Sequence, residues 1–133
     1  MGTAHVIRFQ SEQFDVANET PNPINPIYGQ SVLLWLREKL GDSYAVSEPA
    51  PEDWGWYVDV KGPDATYLVG ASAETEEGNP SLEWILQIHK HRSFKDNITG
   101  ANKLAPDDAL TARITSILRA DAGIRAVEVE TGS

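Results

Sequence analysis

The chain has 133 residues, no cysteine and a formal net charge of −9, from 20 Asp and Glu against 11 Lys and Arg. That length suits one domain with one core, and the 41% hydrophobic and 23% charged content argues against global disorder. The acidic balance disfavours nucleic acid and anionic membrane as partners, and the lack of cysteine removes disulfides, thiolate nucleophiles and zinc–thiolate sites.

No apolar run approaches the roughly 18 residues that a membrane-crossing helix needs. The start, MGTAHVIRFQ, lacks the basic and apolar pattern of a secretion signal, so a cytoplasmic location is expected.

The first element predicted is a short strand at His5–Gln10 (HVIRFQ), from its alternation and its β-branched and aromatic content. A Pro-rich loop over residues 11–29 follows, with Pro21, Pro23 and Pro26 each removing a backbone donor. Ile24, Ile27 and Tyr28 are expected to pin this loop to the body. Its polar residues Asn22 and Asn25, with Tyr28, make a candidate pocket between loop and sheet.

Gln30–Leu40 (QSVLLWLREKL) reads as a helix, with Val32, Leu33, Leu36 and Leu40 at helical spacing and Leu34 and Trp35 widening the stripe. Gly41 ends it, and Lys39 suits the negative end of its dipole. A short strand is expected at Tyr44–Ser47, before the break at Pro49 and Pro51.

Trp54–Lys61 and Thr66–Ala73 flank Gly62-Pro63-Asp64-Ala65, which reads as a four-residue hairpin loop. Pairing Val60 with Tyr67 sets Val58 opposite Val69 and Trp56 opposite Ala71; a slip of one residue would set Trp56 against Gly70 instead. Leu82–His91 is a further strand. The acidic run AETEEGNPS is expected to be a solvated turn, and NITGANK a linker.

The run PDDALTARITSILRADAG predicts a second helix. Pro106 suits its first turn, Asp107 and Asp108 its positive end, and Leu110, Ile114, Ile117 and Leu118 share one face. Gly123 stops it, and Ile124–Glu130 alternates as a last strand. Two amphipathic helices with mostly sequential strands predict an α+β two-layer sandwich: a mainly antiparallel sheet of about five strands, with both helices packed on one face.

Side chains alternate along a strand, so Trp54, Trp56, Val58 and Val60 are expected in the core, with Trp84, Leu86 and Ile88 beside them. Tyr57 then falls on the reverse of the sheet, near Asp59, Gln87, His89 and His91. With Trp54 half exposed at the strand's mouth, these six residues form a candidate binding surface of aromatic centre and charged border.

His89 and His91 form an H-x-H pair that puts both imidazoles on one face, half of a zinc or nickel site. A third ligand is needed, from His5, Asp59 or Glu83, and no spacing compels it; no cofactor is expected. Glu52-Asp53 and Glu76-Glu77 are adjacent carboxylates in polar turns, without the separated environments of acid–base work. No phosphate-cradling loop, nucleophile elbow or zincin motif occurs.

The leading functional reading is a non-catalytic module that binds a protein partner or a second copy of itself. The alternative is a small-molecule or metal-binding domain, its pocket under the Pro-rich loop. A third reading is an enzyme with His89 or His91 as general base.

Overall fold

The computed structural model describes residues 4–14, 18–24, 27–63, 65–74, 83–91, 104 and 108–131. Its elements are β1 (His5–Gln10), α1 (Gln30–Leu40), β2 (Ala45–Val46), β3 (Ala50–Glu52), β4 (Gly55–Lys61), β5 (Thr66–Glu74), β6 (Glu83–Lys90), α2 (Ala109–Ala120) and β7 (Arg125–Glu130). Asn25, the acidic turn after Glu74, Leu82, the NITGANK linker, Pro106 and Asp107 lie outside the described residues.

The strands form one antiparallel sheet in the order β2-β4-β5-β6-β1-β7, with β3 also on β4. This is the α+β sandwich that the patterning predicts, with seven strands among the described residues rather than about five. The strand without a sequence signal is β3, because Pro49 and Pro51 read as a break. On the outer edge a proline removes no donor that the sheet uses. Between β2 and β3, Ser47 keeps the edge attached: its N–H donates to the Asp59 carbonyl (2.9 Å) and its Oγ accepts the Asp59 N–H (2.8 Å).

The central hairpin has the expected register, with Trp56↔Ala71, Val58↔Val69 and Val60↔Tyr67. Its Gly62–Ala65 loop is closed by the Gly62 N–H on the Ala65 carbonyl at 2.8 Å. A one-residue slip would turn each of those valines to solvent, which is why the buried face dictates the pairing.

Trp56, Val58, Val60, Tyr67, Val69, Ala71, Trp84, Leu86, Ile88, Ile7 and Phe9 form the sheet's side of a single core. Helix α1 packs on β4 and β5 and buries Val32, Leu33, Leu36 and Leu40; α2 packs beside β7 and buries Leu110, Thr111, Ile114 and Leu118. Leu34 is 44% exposed, not part of the buried stripe. One residue along a helix is a turn of about 100°, enough to carry it off the buried face.

The helix ends are satisfied by carboxylates. Asp108 caps α2, accepting the Leu110 N–H at 2.9 Å on one oxygen and the Tyr67 hydroxyl at 3.0 Å on the other. Gly29 precedes α1 and brings no side-chain cap. Glu19, from the Pro-rich loop, accepts instead from the N–H groups of Gly29, Gln30 and Ser31 and from the Ser31 hydroxyl. Four donors at a helix N-terminus thus converge on one carboxylate.

Phe14 anchors the start of the loop in the core, and beyond it the loop is held to the body by polar bonds. Trp56 Nε1 donates to the Ile27 carbonyl (3.1 Å), and the Ala73 N–H to the Tyr28 carbonyl (3.0 Å). Ile24 and Tyr28, expected as pins, are 57% and 40% exposed. No helix among the described residues is long and apolar enough to cross a membrane.

Candidate functional site

Both helices among the described residues lie on one side of the sheet, so of these residues the ones between the core positions form an open face. Antiparallel register sets that face out in rows. One row runs Tyr57, Gly70, Gln87, Val6 and Glu130 across β4, β5, β6, β1 and β7. On one side of it lie Asp59, Leu68 and His89; on the other, Ser72, Ile85, Arg8 and Glu128. Val6, Tyr57, Leu68 and Ile85 are all half-buried, so the face has an apolar middle.

Trp54 joins this face by an unexpected route. Strand alternation predicts it in the core with Trp56, but Asp53 and Trp54 form the turn between β3 and β4, where Glu52 pairs with Gly55. Gly55 has φ +148°, a conformation that side-chain-bearing residues rarely adopt, and a Cβ there would also strike the Ala71 carbonyl. The chain direction changes at that residue, and the Trp54 ring lands over Gly70, 36% exposed.

The rim is charged. His91 Nε2 stands 3.8 Å from Asp59 Oδ1, and His89 Nε2 3.4 Å from Gln87 Oε1. Arg8 is shared between Glu83 and Glu130, 3.9 Å from each. Carboxylates therefore outnumber cations along the β6-β1-β7 side. Trp54, Tyr57, Asp59, Gln87, His89 and His91 all lie on the open face. Sequence reasoning left out Val6, Leu68, Ile85 and Arg8, although the same alternation that places Tyr57 also places them.

The H-x-H pair does not gain His5. That side chain is fully buried on the core side, its Nδ1 2.6 Å from Thr111 Oγ1 and its Nε2 without a hydrogen-bond partner among the described residues. Burial pushes the His5 pKa below its usual value, and the charge of Asp108 opposes this in part. Among the described residues no three His, Asp or Glu side chains gather around a metal-sized space.

Of the candidate pocket, Asn22 is engaged with the β3–β4 turn. Its Nδ2 donates to the carbonyls of Glu52 (3.0 Å) and Gly55 (2.8 Å), and its Oδ1 accepts the Ile24 N–H at 2.9 Å. Asn25 is outside the described residues, and the Tyr28 ring is exposed. Shallow hollows lie elsewhere among the described residues. One of about 700 Å³ is lined by Leu34, Trp35, Arg37 and Val46 between α1 and β2. Another of about 640 Å³ lies between the outer flank of α2 and Val129 of β7.

The open face offers area, shape and charge. No protein-family model, curated protein or solved structure significantly matches this chain.

Proposed function

We propose that this protein is a non-catalytic interaction module whose open sheet face receives a protein partner. The observation that carries this reading is the set of half-buried apolar side chains, Tyr57, Leu68, Ile85 and Val6 with Trp54 above Gly70, on the side of the sheet away from both described helices. Tyr and Trp give area with few rotatable bonds and keep a polar tip for the rim.

The charge selects the partner's chemistry. A net −9, with Glu83, Glu128 and Glu130 around one Arg8, favours an apolar patch framed by Lys and Arg, and disfavours a second acidic copy face to face. Five strands about 4.8 Å apart and about 20 Å long present roughly 500 Å² of flat area, which fits the smaller, transient class of interface. A cytoplasmic setting belongs to the same proposal.

A photocrosslinking residue placed at Tyr57 or Leu68, compared with one at the exposed helix residue Leu34, tests the reading in cells. A discrete crosslinked product is expected through the sheet positions only, and it should disappear in Trp54→Ala or Ile85→Glu backgrounds that still fold. Equal crosslinking from Leu34, or none from the sheet, sinks the proposal.

A further inference from the structure

The two edges of the sheet are built differently. The β2/β3 edge is split at Ser47–Pro49 and carries Pro51, so it offers an incoming strand a broken ladder. The opposite edge, β7, is one strand of six residues: it is bulged near Ala126 (φ +57°), where its register on β1 shifts, and regular over Glu128–Glu130, and among the described residues no strand pairs with its outer side.

Beside that free edge, on the helix side, lies the hollow of about 640 Å³ formed by Val129 and the outer flank of α2: Thr111, Thr115, Ser116 and Arg119. A strand added next to β7 would point alternate side chains into this space. On the other face, its remaining side chains would stand beside Glu128 and Glu130. Arg8 is 3.9 Å from Glu130 and already shared with Glu83, and among the described residues no cation pairs with Glu128.

We infer that β7 is a docking edge for an extended peptide segment of another protein, added as an eighth strand. The segment has small or apolar residues toward α2 and Lys or Arg toward the open face. Its backbone takes up the outward N–H and C=O groups of β7, its apolar side chains fill the α2–β7 hollow, and its cations meet the glutamates. A second copy of β7 does not fit. Two-fold antiparallel pairing keeps both helix layers on one side, so Glu128 of one copy falls opposite Glu128 or Glu130 of the other, which is destabilising. This site shares Glu128 and Glu130 with the rim of the open face, but its backbone edge and the α2–β7 hollow are its own, so Ser116→Trp and β7 exchange report on it alone.

The test uses the full chain and a blocked octapeptide alternating Lys and Val, with two comparison peptides: one with proline at two central positions, one with Glu in place of Lys. Binding is read by fluorescence polarisation, and its place by amide hydrogen exchange. The Lys–Val peptide is expected to bind and to slow exchange at β7 amides. Affinity should fall at least tenfold for the proline and the Glu peptides, and likewise in Ser116→Trp, which fills the hollow, and in Glu128→Lys. Equal binding of the proline peptide would mean simple attraction to an acidic surface and would overturn the inference. So would binding that leaves β7 exchange unchanged, or no binding at millimolar peptide.

Discussion

The Trp54 ring covers Gly70 on the face of the sheet turned away from both helices, and a Cβ at position 70 would overlap that ring. Gly70 is therefore buried although it lies on the open face. The two residues are predicted to be coupled. Trp54→Ala should cost about 1–2 kcal/mol by uncovering the strand, and Gly70→Ala about 1 kcal/mol by displacing the ring. With Trp54 already removed, Gly70→Ala should become neutral or stabilising, because alanine suits a strand better than glycine. Additive urea-unfolding energies in this cycle would show that the ring does not depend on the gap.

Glu19 is the cap that α1 lacks in its own sequence. Removing it leaves three backbone N–H groups and the Ser31 hydroxyl without their shared acceptor. Glu19→Ala is expected to cost about 2 kcal/mol, and Glu19→Gln less, since an amide oxygen still accepts. Urea midpoints at unchanged slope measure both. A loss in Ser31→Ala as large as that in Glu19→Ala would point to the hydroxyl rather than the helix end.

Phe14 ties the loop after β1 to the core. Its ring meets Trp35, Trp84 and Phe9 edge-on, with centroids 5.4, 5.5 and 6.5 Å away, and is only 8% exposed. Phe14→Ala should cost about 3 kcal/mol, most of it from the cavity among those rings, whereas Phe14→Leu should recover about half. The near-ultraviolet circular dichroism of the tryptophans should change in step. An unchanged midpoint in Phe14→Ala would mean that the loop does not close over the core in solution.

Phe14, Glu19 and Trp54 share a reason for being illegible in the sequence. Each acts from a loop or turn on a partner far along the chain, and no local period reports where a loop returns. The helices and the Val60–Tyr67 register were legible because each rests on a repeat of 3.6 or of two residues over several turns or pairs. Strand β3 was hidden because proline reads as a breaker unless the strand is known to be an edge. Of the candidate surface, Tyr57, Asp59, Gln87, His89 and His91 followed from alternation, while Trp54 reached it only through the left-handed backbone of Gly55.

His5 makes stability depend on pH in a direction that can be worked out. It is buried, with Nδ1 on Thr111 and Nε2 unpartnered among the described residues, and burial lowers its folded pKa below the ordinary 6.5, Asp108 opposing. The unfolded chain then takes up the proton first. Its contribution to stability is complete above about pH 6.5 and is lost as pH falls from there through the folded pKa. His5→Leu removes the titration, so its urea midpoint should fall less than the wild type's between about pH 7.5 and about pH 5.5. Asp108→Asn keeps a good helix cap but removes the opposing charge, and should extend the loss to lower pH. Parallel pH profiles for wild type and His5→Leu would show that His5 takes up its proton equally in the folded and unfolded chain.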